Sequence, residues 1–395
     1  MDSLIALLIL HSFFVNKLCY ATDTIAQNKI LRDGDTIVSN GGNFTLGFFS
    51  PGNSKLRYVG IWYSEISKQT VVWVANRNNP INSSSLGVGA KVDERGNLGI
   101  FNGNSSYPVW STDISVPISD NINSKFFYKI FDTGNLVLRE ESRGDILWQS
   151  FDFPTDTGLP GMKLGLNLKS WWNWSLTSWK SRGDPSTGEF TYNFDLTVPR
   201  PPELYIKTGS KKIWRTGLWN GVPKMSNNHS FVNNPDEIYI IVCTYNTSVF
   251  SRLYLDELGI LRRLNWVEDT QTWTNIWSAP LDSCDYYGKC GAFASCNSNN
   301  ADSCPCLSGF QSKSTWDWYL KDTSQGCVRK RELLCGKGDG FLRLEKIKLP
   351  DTSNARVYIS LGTKDCEIEC RTTVLVLGIL VQMLMGVVAW FGLET

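Results

Sequence analysis

Histidine is almost absent: the 395 residues hold two. His11 falls in an apolar N-terminal stretch, so a processed chain keeps only His229. A metal site built on two or three imidazoles within one chain is thereby excluded, as is a pair of cooperating histidines. An excess of either charge is lacking too, with 39 Lys+Arg against 38 Asp+Glu. Nucleic-acid proteins carry a basic face. The one basic run here, Arg329-Lys330-Arg331, reads as a solvated loop. Cysteine is missing between Cys19 and Cys243, so the N-terminal two-thirds must hold together by packing. Amphipathic helical periodicity is missing between Asp23 and Ser150. Disorder is excluded in turn, because charged residues make up 19% and aromatics 12% of the chain, too apolar a mixture for an unfolded segment.

Catalytic signatures are also lacking. No Gly-rich loop precedes a strand lysine, and there is no His-Arg-Asp loop and no Asp-Phe-Gly, so no kinase is read here. Gly336-Lys-Gly-Asp-Gly340 lies in a cysteine-rich stretch and reads as a turn. No Gly-x-Ser-x-Gly elbow accompanies His229. Asp and Glu are spread evenly, and nothing singles out a pair for glycoside hydrolysis. The expectation is a chain without catalytic residues, cofactor or metal.

What is present begins with a leader. Leu4-Ile-Ala-Leu-Leu-Ile-Leu10, extended by Phe13-Phe14-Val15 and followed by small residues near Ala21, reads as a signal peptide over residues 1–21. Six Asn-x-Ser/Thr sequons agree with secretion: Asn43, Asn82, Asn104, Asn173, Asn228 and Asn246. Asn173 sits among Trp171, Trp172 and Trp174, where burial would block it.

From about residue 22 to 150, short apolar alternations are broken by Gly, Asn, Asp and Ser. Asn43-Phe-Thr-Leu-Gly-Phe-Phe49, Val71-Val-Trp-Val-Ala75 and Asn135-Leu-Val-Leu138 are examples, and the pattern is all-β. A repeat runs through it: Gly42-Asn43-Phe-Thr-Leu46, Gly96-Asn97-Leu-Gly-Ile100 and Gly134-Asn135-Leu-Val-Leu138. In the second and third copies a Trp follows the Asn by thirteen residues, at Trp110 and Trp148. Glycine supplies the positive φ of a tight turn, and the strand comes after it. Three β subunits around a Trp-rich centre are expected. A second β region follows, with Gly188-Glu-Phe-Thr-Tyr-Asn-Phe194 and Ile238-Tyr-Ile-Ile-Val242 as strands. Its many Trp residues read mainly as core, although aromatic clusters can stack on sugars.

Four ordered motifs then carry a resemblance. Ser150-Phe-Asp-Phe-Pro-Thr-Asp-Thr-Gly-Leu-Pro-Gly-Met-Lys-Leu-Gly165 is the first, and Leu176-Thr-Ser-Trp-Lys-Ser181 the second. Asp184-Pro-Ser-Thr-Gly-Glu-Phe190 and Trp214-Arg-Thr-Gly-Leu-Trp-Asn-Gly221 complete the set, with Val71-Val-Trp-Val-Ala-Asn-Arg77 upstream. Together they resemble the plant S-locus glycoproteins and the ectodomains of S-domain receptor kinases. The resemblance covers roughly residues 22–370. It implies an all-β fold: a bulb-type lectin β-prism at 22–150, a second lectin-like domain at 151–280, an EGF-like module at 281–327 and a PAN/apple module cut short at 328–373.

The cysteines bear on that scheme. Cys284, Cys290, Cys296, Cys304, Cys306 and Cys327 allow fifteen pairings by spacing alone. The resemblance suggests Cys284–Cys296, Cys290–Cys304 and Cys306–Cys327. Secretion favours disulfides over zinc, and the module has no histidine. Cys366-Glu-Ile-Glu-Cys370 resembles PAN cysteines whose later partners do not follow here, which leaves Cys243, Cys335, Cys366 and Cys370 unassigned.

Residues 374–393 form an apolar run with Gln382 as its clearly polar member. As a helix it would span about 30 Å, the thickness of a bilayer core. The first reading is a transmembrane helix with an extracellular N-terminus at the plasma membrane. A GPI-attachment signal and a non-native tail are the alternatives.

Mannose-binding members of the bulb-lectin superfamily place Gln-x-Asp-x-Asn-x-Val-x-Tyr on one strand. Here the matching positions are Phe131, Thr133, Asn135, Val137 and Arg139 in one copy, and Asp93, Arg95, Asn97, Gly99 and Phe101 in the other. Only the Asn and one Val survive, so Asn97, Asn135 and Val137 are the degenerate ligand positions, and the two Asn read as turn residues. A site stripped of its polar partners loses discrimination. The resemblance therefore implies recognition by protein surface, of a peptide or small protein, with S-domain receptor kinases or a second copy as partner. Recognition of pollen type and signal perception are the family roles. A kinase-free decoy or co-receptor is one form of it, and a mannose-type defence lectin is the alternative.

Overall fold

The computed structural model describes residues 22–82, 87–103, 105–114, 125–142, 144–195, 203–217, 229–244, 249–300, 304–331, 351, 355–358, 364–365, 368, 376–383 and 387–393. Its regular secondary structure is nearly all strand. The chain divides into two units. The first comprises Met1–Ser50, Lys55–Val71 and Asn79–Gln149, and the second Pro51–Ser54, Val72–Asn78 and Ser150–Thr395.

In the first unit each of the three Gly-Asn turns opens a strand, and each strand lies in a different antiparallel sheet. Phe44–Phe49 pairs with Thr36–Val38 and Leu56–Tyr63. Leu98–Phe101 lies between Trp110–Ser111 and Gly89–Val92, with Ile30–Arg32 beyond. Leu136–Glu140 lies between Phe126–Ile130 and Ile146–Gln149, with Thr24–Ala26 outermost. Alternation sends Leu46, Ile61, Leu98, Ile100, Tyr128, Leu136 and Leu138 inward, and all are fully buried. Each such aliphatic chain contributes roughly 1.5–3 kcal/mol. The centre is therefore aliphatic with tyrosines Tyr58, Tyr63 and Tyr128. Trp148 is buried, packing edge-on against Tyr128 at 5.8 Å, but Trp110 is only half-buried. The expected Trp-rich centre is thus one Trp at the margin of a Leu/Ile/Tyr core. Trp110 opens its two-residue strand, where a large ring can cap a layer without filling it.

The second unit is built the same way. Its three four-stranded sheets order as Thr157–Gly158, Ser251–Leu255, Leu261–Val267, Thr272–Ala279; as Asn173–Trp174, Lys163–Asn167, Glu237–Val242, His229–Asn233; and as Leu176–Ser181, Asp184–Asp195, Glu203–Thr208, Lys211–Arg215. Leu164, Leu176, Tyr192, Ile206, Trp214, Ile240, Val242, Leu253 and Leu261 pack into one core that draws on all three sheets.

A turn is shared by the two units. Asp93 N–H donates to Asn97 O at 2.9 Å and Gly96 N–H to Asp93 O at 3.1 Å, while Asp93 Oδ1 accepts from Arg95 and Asn97 N–H. In the second unit Asp256 N–H donates to Ile260 O at 3.0 Å and Gly259 N–H to Asp256 O at 3.1 Å, while Asp256 Oδ1 accepts from Leu258 and Ile260 N–H. Gly96 and Gly259 both have positive φ, +84° and +78°, a region other residues enter at a cost. Trp273 follows Ile260 by the same thirteen residues. A fourth copy of the turn-and-strand repeat, the third with its Trp, therefore lies in the second unit.

After residue 280 the chain shortens into loops closed by disulfides, with Phe310–Ser312 paired to Cys327–Arg329 and one helical turn at Thr315–Tyr319, capped by Ser314 Oγ accepting from Asp317 N–H at 3.2 Å.

The apolar run departs from the expected helix. Val376–Met383 and Val387–Leu393 are antiparallel strands, and Ala355–Tyr358 pairs with the second. The run is rich in β-branched Val and Ile, which favour extended backbone. Strand pairing satisfies the N–H and C=O groups that face the neighbouring strand, about half of those in an edge strand. An apolar run alone does not distinguish a helix from a hairpin. Among the described residues no helix is long and apolar enough to cross a membrane.

Candidate functional site

The degenerate lectin positions come first. The turn Phe131–Asn135 closes by Phe131 N–H to Asn135 O and Gly134 N–H to Phe131 O, both 2.9 Å. Asn135 Nδ2 donates to Gln149 Oε1 at 2.9 Å, across to the next strand. Val137 is buried. The Arg139 guanidinium lies 5.4 Å from the Phe131 ring, and Lys129 Nζ lies 5.8 Å from it. Lys129 also pairs with Asp23 at 2.8 Å. Where the lectin pattern needs Gln and Asp to meet sugar hydroxyls, this copy carries an aromatic ring flanked by two cations.

The second copy spends its polar groups internally as well. Asn97 Oδ1 accepts from Ile114 N–H at 2.7 Å. Behind it Tyr128 O–H donates to Gly96 O at 3.0 Å and touches Thr112 Oγ1 at 3.0 Å; burial raises the Tyr128 phenol far above its ordinary range. Lys91 Nζ sits over Phe101 at 4.5 Å. A shallow hollow beside this turn is lined by Asn28, Ile30, Lys91, Asp93, Glu94 and Arg95. It offers charged ends of both signs on open surface. The first copy is closed off too, since Asn43 Nδ2 donates to Asp132 O at 3.4 Å and Gly41 N–H to Asp132 Oδ1 at 2.7 Å.

A second constellation gathers the upstream motif and the first three of the four ordered motifs quoted for the resemblance. Arg77 ends Val71-Val-Trp-Val-Ala-Asn-Arg77. Its Nε donates to Pro185 O at 2.8 Å and its Nη2 to Ser178 O at 2.7 Å, with Thr177 O at 3.3 Å. Asn78 Oδ1 accepts from Thr187 N–H at 2.8 Å, and its Nδ2 donates to Thr187 Oγ1 at 2.9 Å. Trp73 Nε1 donates to Phe153 O at 2.9 Å. Asp156, from the Thr-Asp-Thr of the first motif, is buried with Thr155 Oγ1 donating to it at 3.1 Å. Burial pushes its carboxyl up to about 6, against the opposing pull of Arg77 and Arg252. These motifs are structural glue: they place one guanidinium on carbonyls that a bulged strand pair leaves over. Arg77 and Asp156 lie within the quoted motifs, whereas Asn78 and Arg252 lie outside them. The signal was an Arg and an Asp in neighbouring apolar motifs, a pattern that demands partners.

Of the sequons, Asn173 and Asn82 are exposed, while Asn43 is half-buried with its amide engaged. Asn104, Asn228 and Asn246 lie outside the described residues, as do the leader and Cys335, Cys366 and Cys370. The structure joins Cys284 to Cys296, Cys290 to Cys304 and Cys306 to Cys327. Cys243 carries a free thiol and is half-buried. The three sulfurs of Cys290, Cys296 and Cys304 lie close together, but each is already in a disulfide.

An all-β protein of two lectin-like units with a disulfide-stapled appendage is thus defined. Family models match along it: a D-mannose binding lectin model over residues 70–180, an S-locus glycoprotein domain over 209–314 and a PAN-like domain over 335–374. The chain is 42% identical over 374 residues to the G-type lectin S-receptor-like serine/threonine-protein kinase At1g11410 of Arabidopsis thaliana, covering 91% of this chain and 43% of that protein. It is 38% identical over 366 residues to the S-locus-specific glycoprotein S6 of Brassica oleracea, covering 89% of this chain and 82% of that protein. The chain therefore belongs to the S-locus glycoprotein family, and it spans less than half the length of the kinase relative. A solved mannose-binding lectin from Gastrodia elata shares 16% identity at a TM-score of 0.25, covering 33% of this chain and 96% of that one.

Proposed function

We propose that this chain is an extracellular recognition protein of the S-domain class, reached through the secretory pathway. It binds a peptide or small protein, or pairs with the ectodomain of an S-domain receptor kinase or a second copy of itself. One observation carries the reading. Asn97 and Asn135, the polar survivors of the sugar-binding pattern, and Asp93, which stands at its Gln position, are all held by internal hydrogen bonds. Their groups serve the fold, and re-pairing them with sugar hydroxyls would break turns. Recognition then falls to surface shape and charge. The matched models are ectodomain types, and none is a catalytic domain.

Wherever such a binding module occupies a receptor partner without contributing a kinase, it would lower the fraction of productive receptor pairs by mass action. The full chain, tagged and secreted, is incubated with solubilised plant membranes and recovered. Recovery of S-domain receptor kinases supports the reading. Empty recovery together with mannose-competed binding on a glycan array overturns it.

A second reading, a mannose-type defence lectin, is favoured by the match of residues 70–180 to the D-mannose binding lectin model. Loss of array binding in Asn135→Ala would support it.

A further inference from the structure

Two indoles stand out from the surface of the second unit. Trp171 is 70% exposed and Trp172 43%, with Phe153 beside them at 38%. They occupy the hairpin loop between strands Lys163–Asn167 and Asn173–Trp174. That loop is tightly built. Asn167 N–H donates to Trp172 O at 2.8 Å, and Asn167 Oδ1 accepts from Lys169 and Ser170 N–H at 3.0 and 2.9 Å. Trp172 Nε1 donates to Asp152 O at 3.0 Å, and Phe153 meets the Trp172 ring at 5.1 Å and 71°. Trp171 takes φ +57°, a left-handed conformation that bulky residues avoid. Exposed aromatic rings on a fixed, strained loop mark a surface that is covered in use.

The chain itself supplies the cover. Asn173 is exposed and opens the sequon Asn173-Trp-Ser175. We propose that an N-linked glycan on Asn173 lies back over Trp171, with the indole as the platform for its first N-acetylglucosamine. The inference rests on the extracellular reading above, since only a secreted chain acquires such a glycan. Only Trp172 stands between Asn173 and Trp171, so their Cα atoms lie at most about 7 Å apart, within reach of an asparagine side chain plus one pyranose ring. The C–H face of that sugar is apolar and slightly positive, and it suits the negative face of an indole. Tethering holds the sugar at high effective concentration, so a contact too weak for free sugar suffices. The loop's strain then has a purpose, because it turns Trp171 to the solvent side, where Asn173 is also open.

The test uses the full chain secreted from a eukaryotic host in four forms: unaltered, Ser175→Ala, Trp171→Ala, and both changes together. Peptide mapping reads occupancy at Asn173 and at Asn82. Thermal unfolding reads the coupling. Loss of the glycan in Ser175→Ala is expected to lower Tm by about 2–4 °C, and to lower it by nothing further once Trp171 is alanine. Trp171→Phe should keep part of the coupling, and acrylamide quenching of indole fluorescence should rise when the glycan is lost. An unoccupied Asn173 beside an occupied Asn82 overturns the inference and leaves the extracellular reading standing. A chain with no glycan at any site fails that reading first. Equal Tm losses with and without Trp171 also overturn the platform, since the glycan would then act elsewhere.

Discussion

Arg77 Nη2 donates to the carbonyl of Ser178 at 2.7 Å, across 101 residues of sequence. Strand Leu176–Ser181 pairs with Asp184–Asp195, and their register slips between Thr177 and Trp179 and again between Trp179 and Ser181. Such bulges leave carbonyls without ladder partners, and the planar guanidinium supplies donors in a fork that several of them can share. Replacing Arg77 by Lys keeps the charge and loses the fork. A loss of about 2–4 kcal/mol in the stability of the second unit is expected, read by urea unfolding followed through tryptophan fluorescence. A change below about 0.5 kcal/mol, the size of an ordinary surface substitution, would show that the carbonyls are satisfied without it.

Asp156 is the acidic counterpart of Arg77. Its folded-state carboxyl is raised from 3.8 to about 6, chiefly by burial. The folded state thus binds a proton more tightly than the unfolded one. The stabilisation this gives is full below pH 3.8, and it is lost as pH rises through about 6. The whole effect is about 3 kcal/mol at most, with the opposing pull of the two arginines already included. Denaturant midpoints of the unaltered chain should fall between pH 4 and pH 7, whereas Asp156→Asn should show a flatter profile. A profile that rises over that range would mean that Arg77 and Arg252 dominate and hold Asp156 ionised.

The three-sheet plan of the first unit was legible because Gly-Asn turns impose positive φ at fixed spacing, and because alternation assigns the inner residues. The fourth copy escaped notice because Ile260 stands where the others have Asn. Its turn is held instead by Asp256, the equivalent of Asp93. An Asp-x-x-Gly pattern, joined to the thirteen-residue spacing to Trp273, would have found it. In the tail the described residues depart from the expected helix for a different reason. Twenty apolar residues carry no period that separates a helix from a hairpin, and the β-branched content was the better guide. Asn97 and Asn135 could be read as turn residues from the sequence. Their hydrogen bonds to Ile114 and Gln149 could not, since those partners depend on tertiary pairing.

Gly259 separates two costs of replacing glycine. Its φ is +78°, and an added Cβ would lie 2.5 Å from the Phe190 ring. Gly209 also has positive φ, +57°, but open space around it. Gly209→Ala should cost about 1 kcal/mol of backbone strain. Gly259→Ala should add the clash and cost about 2–4 kcal/mol. Equal losses in chemical denaturation would mean that Phe190 moves aside freely.

The disulfide-closed appendage gives the last prediction. Cys306–Cys327 closes the longest of its loops, with a sequence separation of 21. It also anchors the pairing of Phe310–Ser312 with Cys327–Arg329, the one two-stranded sheet among the described residues of this module. Cross-linking over that separation removes about 3 kcal/mol of denatured-state entropy. The module has few buried apolar side chains of its own, Cys304 and Cys327 among them, so that margin decides whether it folds. Changing both Cys306 and Cys327 to Ser should abolish amide protection at Gln311 and Val328 in hydrogen exchange. Protection should persist at Leu253 and Ile206, because their core draws on three sheets and contains no disulfide. The exchange pattern is the sharp readout, since a local loss and a global one differ residue by residue. If Leu253 and Ile206 lose protection together with Gln311, the module and the second unit fold as one, and the appendage supports the lectin-like core instead of riding on it.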